Sequence, residues 1–239
     1  MKALLFITLC LLFITSVFAN IETTIPDRAH QYLPIVYSTI DEIIPDHPYP
    51  PIIPALIEHE SCITLTHSRC WSPTSRLHTP REEGAGLGQL TRAFRLNPDG
   101  SRGELRFDTL SSLSKKYPSL RELSWSNIYE SPELQIRAIG YLYNENWKIV
   151  VTLTDDVVSQ LAFANAAYNG GIGMRGGLNG DISLCRMTAG CDPTKWFNNV
   201  ENTCSKSSAV LYGNRSACDI NRHHARSVLK RSIKYAEKY

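Results

Sequence analysis

The stretch Ile53–Thr91, IPALIEHESCITLTHSRCWSPTSRLHTPREEGAGLGQLT, decides how this chain is read. Ile53, Leu56, Ile57 and Glu60 stand at helical spacing and share one face of a short helix. Proline is tolerated in a first helical turn, so Pro51 to Pro54 marks the start of that helix. Glu60 then points where the apolar side chains point, into an interior or a cleft. Burial disfavours the charged carboxylate, so such a glutamate stays protonated near neutral pH, as a general acid must. Glu58 lies about 200° around the same helix and is expected to face solvent, so the two glutamates are not read as a dyad. Downstream, Cys62 to Glu83 is polar, contains Pro73 and Pro80, and reads as a loop. Gly84 to Leu90 brings backbone close to the helix, because glycine permits tight approach or positive φ.

Working outward, the 239 residues are 43% hydrophobic, enough for one sizeable core. A net charge of +2 indicates neither a nucleic-acid partner nor an acidic tail. Lys2 precedes an apolar run, Ala3 to Phe18, and Val17-Phe18-Ala19 has the form of a cleavage site, so residues 1–19 read as a signal peptide. A retained anchor is the alternative, and an uncleaved segment is the only membrane contact expected. Without Cys10, six cysteines remain, and an even number in an exported chain implies disulfides. Fifteen pairings are formally open; proximity favours Cys62–Cys70, Cys185–Cys191 and Cys204–Cys218. His59, Cys62, His67 and Cys70 are close enough to weigh as zinc ligands, but the helical metalloprotease motif needs histidine where Ile63 stands. No metal or cofactor is expected.

Residues 20–51 read as an N-terminal arm, with Tyr32 to Tyr37 able to pack on the domain. Helices are expected over Asp108–Tyr117, Ser131–Trp147 and from Asp155 or Asp156 to Tyr168, the last ended by Asn169-Gly170-Gly171. Six glycines between Gly170 and Gly180 suggest a flexible rim, and Cys185 to Cys218 a disulfide-braced insertion anchored by Trp196-Phe197. Asn221 to Tyr239 reads as a basic amphipathic helix with Ala225, Val228, Leu229, Ser232 and Ala236 inward and its cations solvated.

Glu60-Ser61 at a helix end, Gly84-Ala85-Gly86-Leu87-Gly88-Gln89-Leu90-Thr91, and Ala167-Tyr168-Asn169-Gly170-Gly171 occur in that order. The set resembles the Glu-Ser, Gly-Leu-Met-Gln and Ala-Tyr-Asn signatures of soluble lytic transglycosylases, the lysozyme-like enzymes that cut peptidoglycan. Each motif alone is common, and the three in order are much more specific. Two positions depart from the pattern: Gly88 stands where the family usually has Met, and Gly171 follows where Ala-Gly is usual. Cys62 and Cys70 also bracket an insertion that many members lack.

The resemblance implies a mainly α, lysozyme-like catalytic domain over residues 52–239, with a core at 52–171 and a disulfide-rich part at 172–239. Any small β-hairpin is expected between Cys62 and Gln89. It also implies that Glu60 is the single acid/base, that Ser61 hydrogen-bonds near it, that Gln89 and Asn169 hold the sugar, and that Tyr168 lines the cleft. The bland readings are a helix-end partner for Ser61, a core position for Tyr168 and a C-cap for Asn169. Trp71 is read as packing, with stacking on a sugar as the alternative. The basic C-terminal face has attraction to anionic wall polymer as its sharper reading. Partners are peptidoglycan glycan strands, and the compartment is periplasmic or secreted. A hydrolytic muramidase would need a second carboxylate from Glu82, Glu83 or Asp99 to position water. The non-enzymatic alternative is a wall-binding protein on the same scaffold.

Overall fold

The structure is a computed structural model that describes residues 23–237; the expected signal segment, residues 1–19, lies outside them. The first element is helix α1 (Ala29–Ile43), which buries Tyr32, Leu33, Val36 and Ile40 in the main core. Residues 29–43, expected as part of an arm, are therefore a core helix. The helix accommodates Pro34, a residue that lacks the helical N–H donor, and the proline-rich turn at 46–51 begins only after it ends.

Helix α2 (Ile52–Ser61) starts where the prolines put it. After it come β1 (Arg76–His78), β2 (Glu82–Ala85), β3 (Leu90–Leu96) and β4 (Arg102–Asp108), an antiparallel sheet in the order β1-β2-β3-β4. The expected small hairpin is thus the first half of a larger meander. The polar β3–β4 pair was not legible because its outward residues hide the alternation: Leu105 and Phe107 are exposed, and the register slips on either side of Phe94. Helices α3 (Thr109–Lys116), α4 (Pro132–Val150), α5 (Val157–Gly170), α6 (Leu178–Met187) and α7 (Ala217–Ala236) follow, with a short hairpin β5 (Val210–Tyr212) and β6 (Arg215–Ser216) before α7. Asp108 and Asp156 cap α3 and α5 by accepting from Ser111 and Ser159 backbone N–H groups. Gly171 ends α5 at φ 77°.

The fold is mainly helical, with a small antiparallel sheet. All three disulfides favoured by proximity are present: Cys62–Cys70, Cys185–Cys191 and Cys204–Cys218. They fit a chain matured in an oxidising compartment. They also engage Cys62 and Cys70, weighed above as zinc ligands, with each other. Trp196 is fully buried edge-on to Phe163 and anchors the braced C-terminal part. Among the described residues, no helix is long and apolar enough to cross a membrane.

Two apolar clusters meet along a seam. The larger joins α1, α2, α4, α5 and α7, and the smaller packs α3 and Ala138 of α4 against Ala85 and Leu90 of the sheet. In the larger cluster α2 lies along α7, which also packs on α5. Three consecutive α2 residues contact one stripe of α7: Glu58 meets Arg231, His59 meets Ser227 and Glu60 meets His224. Positions 231, 227 and 224 are spaced as one helical face.

This arrangement corrects two expectations. Glu58 does not face solvent; it is fully buried, accepts from Arg231 at 2.7 Å and from the Tyr235 hydroxyl at 2.6 Å, and lies 2.9 Å from Lys234 Nζ. The α7 cations are not all solvated, since Lys234 is 3% exposed. Helix α7 covers the side of α2 that an isolated helix would show to water. Removing one partner from a buried ion cluster leaves the others desolvated and unpaired. Glu58→Ala is therefore expected to cost about 3–5 kcal/mol in urea unfolding, far more than a surface carboxylate would.

Candidate functional site

Glu60 stands in the last turn of α2 at the seam between the two clusters. Its side chain is 16% exposed, and it lines a cavity of about 710 Å³. Opposite walls come from the Gly88-Gln89-Leu90 turn and from the end of α5, Ala167 to Gly171. All three motif segments therefore meet at one cavity.

The turn is tight for stated reasons. Gly86 takes φ 75°, and Gln89 takes φ 45°, a left-handed value rare for a residue with a side chain. Gln89 is held there by its own amide, which donates to the carbonyls of Gly86 (2.9 Å) and Ser75 (3.3 Å). The Leu87 N–H donates at 2.9 Å to Gln135 of α4, clamping the turn from behind. At Gly88 a Cβ would lie 2.3 Å from Ile139 and 2.6 Å from the Tyr168 hydroxyl. The Tyr168 hydroxyl donates to the Gly88 carbonyl at 2.9 Å. Glycine at this position is thus built into the packing.

The expected site residues separate into two groups. Glu60, Gln89, Tyr168 and Asn169 line the cavity together. Asn169 is exposed there and accepts from Asn221 of α7 at 3.0 Å. Ser61 does not join them. It is 2% exposed, and its hydroxyl donates to the Ile57 carbonyl at 2.7 Å and accepts from the Trp71 N–H at 3.1 Å. It closes the helix end, the bland reading, and does not reach Glu60 or the cavity. Trp71 is likewise fully buried and packs in the core.

Burial raises the Glu60 carboxyl to about 7, with charge on His59 opposing, so the group carries its proton through much of the neutral range. Its hydrogen-bond partner is His224 Nε2 at 2.8 Å. His224 is 2% exposed and is held neutral, its pKa lowered to about 3 chiefly by burial. His59 is lowered to about 3 for the same main reason. His224 lies outside all three motifs and was not singled out from the sequence. Its only signal was a histidine one position before Ala225 on an amphipathic helix, which does not tell a core imidazole from a surface one.

Other carboxylates are spoken for. Glu83 is buried but engaged by Arg92, Arg102 and His78; burial works to raise its pKa, and the two arginines more than reverse that and hold it low. Asp99 is exposed and bonded to Ser101 within its turn. Asp108 caps α3 and accepts from Trp125 at 2.9 Å. Glu82 does line the cavity, where it accepts from the Tyr212 hydroxyl of the β5–β6 hairpin. That contact carries the hairpin over to the sheet on the cavity's rim.

Protein-family models, curated proteins and solved structures were compared with the chain, and none matches.

Two outcomes test this geometry. Gly88→Ala should destabilise by about 1–3 kcal/mol in urea unfolding, because Ile139 or Tyr168 must move. The Glu60 carboxyl is raised in the folded state, so wild type loses stability as pH rises from about 4.5 to about 7. Glu60→Gln removes that loss. The stability difference between variant and wild type should therefore grow over this window by roughly 2–3 kcal/mol and then level off.

Proposed function

We propose that the chain is a peptidoglycan lytic transglycosylase with a lysozyme-like catalytic domain, exported to the periplasm or the cell exterior. The observation that carries the reading is Glu60: one carboxyl group, kept protonated by burial, opening into a cavity walled by the Gly-rich turn and the Tyr168-Asn169 helix end. Cleaving a glycosidic bond requires a proton for the leaving oxygen and support for an oxocarbenium-like carbon.

In this reading Glu60 gives its proton to the oxygen between N-acetylmuramic acid and N-acetylglucosamine, and the C1–O4 bond breaks. The resulting carboxylate stabilises the cationic centre and then accepts the proton of the sugar's own C6 hydroxyl as the C1–O6 bond forms. The product is a 1,6-anhydromuramoyl end, Glu60 is again protonated, and no water is consumed. Gln89 and Asn169 would hold the glycan and Tyr168 would line its path. Ser61 has no part in this, because its hydroxyl is committed to Ile57 and Trp71. A pKa near 7 suits one group that must act first as acid and then as base.

A hydrolytic muramidase is the second reading, favoured by one observation: Glu82 shares the cavity. A carboxylate there would activate water, whereas Glu83 and Asp99 are tied up in their own contacts. A wall-binding protein without turnover would have no use for a protonated carboxyl group facing a cavity.

Digestion of purified sacculi by the mature, oxidised chain, followed by mass spectrometry of the products, separates the three. Anhydromuramoyl ends, lighter than reducing ends by one water, are expected, with at least a ~100-fold loss in Glu60→Gln and little change in Glu82→Gln. Reducing ends lost in Glu82→Gln mean hydrolysis. Bound wall with no products sinks both enzymatic readings.

A further inference from the structure

The acid at Glu60 is only as well aimed as its carboxyl group, and the side chain that aims it comes from the far end of the chain. His224 of α7 is almost fully buried, with Nε2 2.8 Å from Glu60 Oε1. Its ring lies parallel to Tyr168 with centroids 6.3 Å apart, and edge-on to His59 at 4.5 Å. Nδ1 is buried without a well-formed hydrogen bond; the Asn165 backbone beside the ring acts to raise the imidazole's pKa, against the larger effect of burial. Glu60 is thus the one side chain hydrogen-bonded to this imidazole among the described residues.

A neutral imidazole carries one proton, and the surroundings choose which nitrogen holds it. A proton on Nδ1 would be a buried N–H without a well-formed hydrogen bond, a costly arrangement. A proton on Nε2 is donated to Glu60 Oε1. With Oε1 acting as acceptor, the acidic proton of Glu60 belongs on Oε2, the oxygen left for a ligand in the cavity that Glu60 lines.

We infer that His224 is the positioning residue of Glu60: its Nε2–H holds Oε1, directs the acidic proton to Oε2, and stabilises the carboxylate once that proton has gone to the leaving oxygen. The inference rests on the transglycosylase reading for its catalytic consequence, and on the hydrogen bond alone for its physical one. The proton released from Oε2 returns to it from the C6 hydroxyl; His224 neither gains nor loses one. The other titratable groups around the pair are His59 on α2, Tyr168 on α5 and His223 on α7, and the cavity wall carries Arg69, Glu82, Lys206 and Tyr212. None of these is hydrogen-bonded to Glu60 in the structure, so the donor effect belongs to His224.

The test uses the full mature chain with its disulfides formed. In wild type, imidazole 15N shifts should show His224 protonated at Nε2 at pH 7; protonation at Nδ1 overturns the inference without any variant. Carboxyl 13C titration of glutamate-labelled protein, with Glu60 assigned by its loss in Glu60→Gln, reads the Glu60 midpoint directly. A donor to the carboxylate favours its charged form, so His224→Phe should raise that midpoint by about one unit. His224→Gln, which keeps an N–H donor, should restore it in large part. On sacculi, His224→Phe should lower kcat about tenfold with KM little changed, and should move the alkaline limb of the pH profile upward with the midpoint. An unmoved midpoint in His224→Phe, or no recovery in His224→Gln, overturns the positioning role even if wild type turns over. A midpoint that moves as expected in a wild type that forms no product overturns the catalytic use of the pair together with the enzymatic reading, leaving only the structural bond.

Discussion

The antiparallel seam between α2 and α7 is the constraint on which the rest depends. Glu58, His59 and Glu60 step down α7 through Arg231, Ser227 and His224, so one stripe of the C-terminal helix sets the axial position and rotation of the motif helix. The two glutamates at its ends are treated in opposite ways. Glu58 is given Arg231, Lys234 and Tyr235 as charged or hydroxyl partners, which satisfy a buried carboxylate. Glu60 is given a neutral imidazole and a cavity, which offset the cost of burying charge only in part and so favour its proton. Two residues apart on one helix, identical side chains become a structural anchor and a protonated acid.

The cavity exists because the two apolar clusters do not fuse. The sheet and α3 form their own cluster, joined to the helical body mainly through α4, and the Gly86–Gln89 turn bridges the gap between them. Gln135 of α4 fixes that turn through the Leu87 N–H. Tyr168 fixes it from α5 through the Gly88 carbonyl. The same contacts explain why no larger side chain fits at Gly88: the space that a Cβ would take is filled by Ile139 and the Tyr168 hydroxyl. The C-terminal part, braced by Cys185–Cys191 and Cys204–Cys218, supplies the remaining rim through Lys206 and the Tyr212 hairpin. Buried Asp181 holds Lys206 in place at 2.8 Å.

What could be read from residue order alone was local. The start of α2 followed from its prolines, the capped starts of α3 and α5 from Asp108 and from the pair Asp155-Asp156, the end of α5 from two glycines, and the three disulfides from cysteine spacing. The inward direction of Glu60 followed from helical period. Each of these depends on neighbours a few residues apart, and local rules reach that far. The folded chain alone decided what Glu58, Ser61 and His224 do. Glu58 looked solvent-facing because nothing nearby in sequence covers it; the residues that do lie more than 170 positions away. Ser61 looked like a companion of Glu60 by adjacency, but adjacent residues on a helix diverge by about 100°, and Trp71 took its hydroxyl. His224 is 164 positions from the carboxyl it meets, on a helix whose charged composition reads as surface. Period and spacing report which way a side chain leaves its own helix. Which group waits there depends on packing between distant segments.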